Sequence, residues 1–232
     1  MTHKSKRTRE IAKSVDPLKI YGLREAIELL QRCPSVKFDQ TVGLSIVLGI
    51  DAKKSDQQVR GTVSLPSGTG RKNVVVVLAK GEKVKEALEA GADFAGFEEL
   101  FDKIRDGWTS FDAVIATPDM MREVGKLGKI LGPRNLMPTP RAGTVTTEVA
   151  KAVREVKAGK IEFKADKHGQ VNVGTGKLSF SVDAIEANVQ SLIGAIGRSK
   201  PSSSKGQFVR QVVLTSTMGP GLKLNLRELA VV

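Results

Sequence analysis

The residues of this chain best suited to chemistry are ones that hold a partner, not ones that react with it. Leu214 to Gly221 reads Leu-Thr-Ser-Thr-Met-Gly-Pro-Gly, a strand that stops in a hydroxyl-rich turn. Hydroxyls at Ser216 and Thr217 suit phosphates and 2′-OH groups, the small Gly219 lets a nucleic-acid backbone come close, and Met218 offers a polarizable contact to a sugar or base. The same run also reads as a strand end with a buried methionine, and residue types alone leave both open. Phe38 follows Lys37 and precedes an alternating stretch, so it is either a core aromatic or a stacking group framed by charge. Asp166-Lys167-His168-Gly169 reads first as a hairpin turn, with RNA contact as its other reading. From Gly125 to Val145, Lys126, Lys129, Arg134 and Arg141 stand without a single acid on a loop stiffened by Pro133, Pro138 and Pro140.

Reactive groups are scarce. Gly68-Thr69-Gly70 precedes its strand, whereas a dinucleotide fingerprint follows one and opens a helix. Gly174-Thr175-Gly176-Lys177 is followed by Leu178 where a phosphate loop needs Ser or Thr for magnesium, so it reads as a turn between strands. Asp51, Asp56 and Asp119 look like cap or turn residues, and no paired carboxylates or Ser-His-Asp set emerges. One cysteine, Cys33, excludes an internal disulfide, and His3 and His168 are too few for a histidine metal centre. The expectation is a protein with no catalytic residues, cofactor, metal or small-molecule substrate. The alternative from another class is a nucleotide-binding enzyme built on the middle of the chain. The basic start has no apolar h-region after it and no run approaches a membrane span, so a cytoplasmic setting without membrane contact is expected.

Two kinds of strand position these residues. Val42, Leu44, Ile46 and Leu48 alternate with Gly43, Ser45 and Val47, and Leu222, Leu224 and Leu226 alternate with Lys223 and Asn225, as strands with one wet face do. Val74 to Ala79 and Ala113 to Ala116 are instead apolar on both faces, which suits a parallel sheet covered by helices, and Gly81–Ala90 and Phe97–Arg105 read as those helices. The fold class expected is therefore α/β with two domains. Both chain ends, 1–67 and 160–232, form a split α+β domain with an antiparallel-style sheet, into which a doubly wound, Rossmann-like α/β domain, 68–159, is inserted. Gly68 and Gly159 stand at the two crossings, where a hinge or an ordinary turn and helix cap are both natural. Leu18–Gln31 and a stretch after Ser181 read as amphipathic helices of the split domain, and Tyr21 and Trp108 as packing residues.

Charge indicates which domain meets a polyanion. The 232 residues carry a net +12. Residues 68–159 hold 15 basic and 13 acidic side chains, against 22 and 12 in the remainder, so the split domain carries +10 of that excess. The basic residues include Lys4, Lys6, Arg7, Arg9, Lys37, Lys53, Lys54, Lys160, Lys164, Lys167 and Lys205. Aromatic residues make up 4% of the chain, too few for an extended base-stacking platform, so RNA backbone and shape contacts should dominate.

The run Gly125 to Val145 closely resembles the signature of the L-one family of large-subunit ribosomal proteins. Further landmarks span the chain, among them Lys37-Phe38-Asp39, Leu48-Gly49-Ile50-Asp51, Arg60-Gly61-Thr62-Val63, Ala90-Gly91-Ala92-Asp93, Thr117-Pro118-Asp119 and Thr217-Met218-Gly219-Pro220. The resemblance implies two hinged domains and binding to ribosomal RNA of the mobile stalk beside the tRNA exit site. It further implies assistance in the release of deacylated tRNA and, for bacterial members, translational repression of their own operon's mRNA. The family's RNA-contacting module carries over to Phe38, Thr41, Thr217, Met218 and Gly219, and extends to Ser216 and the turn Asp166, His168, Gly169. Asn135 stands where the family usually has glycine, Thr139 where it commonly has asparagine, and Gly43 at an often acidic strand position.

Overall fold

The computed structural model describes residues 5–229 except 17, 35, 53 and 205; His3, Lys4, Lys53 and Lys205 of the sequence reading lie outside the described residues. In chain order the elements begin with α1 (Lys6–Ser14), β1 (Ile20–Tyr21), α2 (Leu23–Arg32), β2 (Thr41–Leu48), β3 (Arg60–Ser64), β4 (Val75–Leu78), α3 (Glu82–Glu89), β5 (Phe94–Gly96) and α4 (Glu98–Arg105). They continue with β6 (Ala113–Ala116), α5 (Met121–Val124), α6 (Gly128–Leu131), α7 (Val149–Lys157), β7 (Lys160–Lys164), β8 (Gln170–Lys177), α8 (Val182–Arg198), β9 (Val209–Ser216) and β10 (Gly221–Leu224). The chain divides into two compact units, Met1–Gly70 with Glu162–Val232, and Arg71–Ile161.

In the outer unit, β1-β10-β9-β2-β8 form one sheet, antiparallel except where β1 runs parallel to β10. Strict alternation along β2 buries Val42, Leu44, Ile46 and Leu48. They share a core with Ala26, Ile27 and Leu30 of α2 and Ile185, Val189, Leu192 and Ile196 of α8. Helix α8 starts where Ser181 Oγ accepts the Ala184 N–H, satisfying a donor that the first turn would otherwise leave free. β3 and β7 pair separately, with an Arg60–Glu162 ion pair between them.

The inserted unit is a parallel three-stranded sheet in the order β5-β4-β6, so the chain steps to one side of β4 and then crosses to the other. Val76, Leu78 and Val114 pack with Leu100, Ile104, Val124, Leu127 and Leu131 on one face; Val75, Val77 and Ile115 pack with Ala87, Val149 and Val153 on the other. Burial on both faces is the reason these strands are continuously apolar. Trp108 packs edge-on to Phe94 and Phe111.

Two local expectations change. The helix expected from Leu18 starts at Leu23, because Ile20 and Tyr21 join the sheet beside β10, leaving Leu18 85% and Ile20 63% exposed. Sheet pairing overrides the helical spacing there. Gly174 to Lys177 is no turn: it is the end of β8, with a register shift opposite Val42 and Gly43. Gly176, at φ +155°, allows that irregularity.

Candidate nucleic-acid interface

One end of the outer sheet is built around Thr217. Its hydroxyl accepts the Thr41 N–H at 3.0 Å and donates to the Thr41 carbonyl at 3.3 Å, while the Thr217 N–H reaches the same carbonyl at 3.1 Å. The buried Gln40 side chain accepts the Met218 N–H at 2.9 Å, and Gly219 N–H closes the turn onto the Ser216 carbonyl at 3.0 Å. The backbone of the turn is thus pinned, yet the Met218 side chain is 49% exposed and Phe38 is 52% exposed. The buried-methionine and core-aromatic readings do not hold. Lys37 is exposed, and Lys177 Nζ reaches Thr41 Oγ1 at 3.3 Å. Beneath the turn, Ser216 Oγ is the one buried side-chain polar atom among the described residues without a hydrogen-bond partner. A Cβ on Gly219 would run into it, so glycine is required there by close approach.

The turn Asp166–Gly169 lies elsewhere. Asp166 Oδ1 accepts the N–H groups of His168 and Gln170, each at 2.8 Å. The Gln170 N–H above all, with the His168 N–H and charge, holds this carboxyl below the usual carboxylate range. Gly169 takes φ +73° at the turn, and the His168 side chain is exposed. Gln170 pairs with Val47 whereas Lys177 pairs with Thr41, so the two groups of expected site residues sit at opposite ends of β2, ~23 Å apart at the usual strand rise.

What connects them is the sheet face that carries no helix. Ser45 lies between Asn172 and Val213, and Gly43 between Gly174 and Thr215. These outward positions of β2, β8 and β9 are small and uncharged, a shallow surface a broad partner can approach closely. Sequence reasoning passed over Ser45, Asn172 and Thr215. The signal was there in the small residues at alternate positions of β2, but the partner strands supplying the rest of each row are 127 to 172 residues away.

In the inserted unit, Lys126, Lys129, Arg134 and Arg141 are all exposed, and Arg134 donates to the Thr109 hydroxyl. Asn135 adopts the left-handed region at φ +57°, so it keeps the backbone conformation that glycine would favour; asparagine tolerates it best among side chains with a Cβ. Gly68, at φ +68°, belongs to the outer unit. Gly159, at φ +102°, follows α7 within the inserted unit, its N–H on the Val156 carbonyl.

Residues 29–220 match the model of the Ribosomal protein L1p/L10e family. The chain is 63% identical over 228 residues to the large ribosomal subunit protein uL1 of Protochlamydia amoebophila, covering 98% of this chain and 97% of that one. It is 59% identical to the protein of the same name from Chlamydia pneumoniae, with 99% of each covered, and 54% identical to that of Kosmotoga olearia, with 97% of each covered. The chain belongs to the ribosomal L1 family. It is a structural ribosomal protein and not an enzyme, and its mixed α/β, two-unit architecture is the one the L1 resemblance implies.

Proposed function

We propose that this L1-family chain works in the cytoplasm as part of the large ribosomal subunit, gripping folded stalk rRNA with the outer unit. The observation that carries the reading is a helix-free sheet face with small, uncharged residues along β2, ending in a pinned turn whose Met218 side chain, like that of Phe38, is exposed and left for a partner. A double-helical RNA presents a wide, shallow minor groove that is read by shape and through 2′-OH groups. Ser45 and Asn172 offer a hydroxyl and an amide to such a groove, Thr215 and Thr217, whose hydroxyls donate to the Gly43 and Thr41 carbonyls, keep an acceptor lone pair for it, and the cations at the rim meet phosphates. Lys37, Thr41, Gly219, Asp166, His168 and Gly169 complete the proposed contact set, with Ser216 buried beneath the turn as its support. Deacylated tRNA leaving the ribosome and the chain's own operon mRNA, repressed by the same face, are the further partners proposed. The two units act as functional domains, with bending near Gly68 and Gly159.

Cutting out residues 71–159 and joining the ends with a short Gly/Ser link keeps β7 and every residue of the proposed face. The product should fold and bind stalk rRNA within about tenfold, some 1.4 kcal/mol, of the full chain. With four to six phosphates neutralised, log affinity should fall with log salt at a slope of roughly −3 to −5, at ~0.7–0.9 per phosphate. Equal affinity for an unrelated RNA of the same length would sink the reading. A larger loss in a folded deletion protein would move the grip to the inserted unit.

A further inference from the structure

Helix α1 has no place in the core. Its nine residues, Lys-Arg-Thr-Arg-Glu-Ile-Ala-Lys-Ser, include none that is buried, and a free helix of that length is marginal in water. Ser5 caps it by accepting the Thr8 N–H. What ties its first turn to the rest of the chain is Arg7, whose Nη2 donates to the Met218 carbonyl at 3.1 Å. The helix therefore lies against the turn read above as RNA-contacting. Arg7 and Ile11 are its half-buried residues, four apart and so on one side. Lys6, Arg9 and Lys13, at spacings of three and four, share another stripe and are all exposed. Among the described residues none of these three has an acidic partner, and Glu10, the one acid on the helix, pairs with none of them.

A guanidinium has five N–H donors in a fork that fits a phosphate in two places. Arg7 gives one of them to a neutral peptide carbonyl, leaving its charge uncompensated beside Met218. Three more cations run ~10 Å along the same helix at 1.5 Å per residue. We propose that α1 is a phosphate-binding arm of the RNA interface: once RNA seats on Met218, Lys6, Arg9 and Lys13 pair with its backbone and Arg7 gains a phosphate. Shape selectivity then comes from the sheet face, and a separate, salt-sensitive share of affinity from α1. The proposal rests on the reading of the Ser216–Gly219 turn as an RNA contact.

The test uses the full chain carrying K6Q, R7Q, R9Q and K13Q together, since glutamine keeps helix propensity, with a stalk rRNA fragment titrated across salt concentrations. Affinity near 0.15 M salt should fall about ten- to a hundredfold. The salt slope should become shallower by roughly two to three, with the melting temperature unchanged. R7K alone should keep the slope within about half a unit, because the charge remains. An unchanged slope and affinity would overturn the proposal, and so would tighter binding, which would make α1 a cover over the site. Failure of the underlying reading looks different: M218A would then bind like the parent chain. A slope loss confined to unselective binding would likewise refute α1 as part of a stalk-specific grip.

Discussion

Asn188→Ala is expected to destabilise the outer unit by about 2–4 kcal/mol while sparing the inserted unit. Asn188 on α8 is fully buried, and its amide is used in three directions. The side-chain carbonyl accepts the Ser67 N–H at 3.0 Å, and the amide nitrogen donates to the Thr175 carbonyl at 2.7 Å and the Gly68 carbonyl at 3.0 Å. One side chain thus ties the first crossing of the chain to β8. Alanine leaves three backbone groups without partners, each worth about 1–3 kcal/mol when it stays dry, and water entering the vacated space offsets part of that. The chain carries its own probes, for Trp108 is its one tryptophan and lies in the inserted unit, whereas Tyr21, its one tyrosine, is buried in the outer unit. In urea, the tyrosine transition should move to lower denaturant and the tryptophan transition should stay. A loss below about 1 kcal/mol, or an equal shift of both probes, would show that Asn188 does not hold the crossing.

Met218→Ala should weaken stalk rRNA binding by about 1–3 kcal/mol, the range for truncating a well-packed contact residue, and leave the melting temperature unchanged. The separation is expected because Gln40 pins the Met218 backbone while half of the side chain is in solvent. Truncation therefore removes contact surface without opening a cavity. Thr217→Val behaves differently, since the Thr217 hydroxyl bonds both the N–H and the carbonyl of Thr41. It should cost about 1–2 kcal/mol of stability as well as affinity. Wild-type binding by Met218→Ala would return the methionine to the role of an incidental surface residue.

Local regularities made much of this legible in advance. The alternation of Val42, Leu44, Ile46 and Leu48 marks a strand with one wet face, and β2 spans Thr41–Leu48. The unbroken apolar run at Val74–Ala79 marks a strand covered on both faces, and β4 is buried throughout. Ser181 marks the start of α8 because a short hydroxyl side chain can reach the free N–H groups of a first turn. Where a partner distant in sequence decides the outcome, local pattern fails. Ile20 and Tyr21 sit in helical spacing but gain hydrogen bonds from β10, some 200 residues away, and Gly174–Lys177 has turn composition yet completes β8 beside β2.

The sequence by itself determined the charge and the residue types on which the proposed interface rests: a +10 charge excess on the paired chain ends, few aromatics, and a hydroxyl-rich strand end at Ser216–Gly219. Those are sums and neighbours, which need no fold to be read. Only the tertiary structure decided that Met218 and Phe38 face solvent, that Asp166–Gly169 lies at the far end of the sheet from them, and that Arg7 rests on the Met218 carbonyl. Exposure and proximity depend on which strand pairs with which. In the outer unit the central β2 lies between β8 and β9, more than 120 residues further along the chain, so the proposed contact face forms only once both chain ends have closed into one sheet.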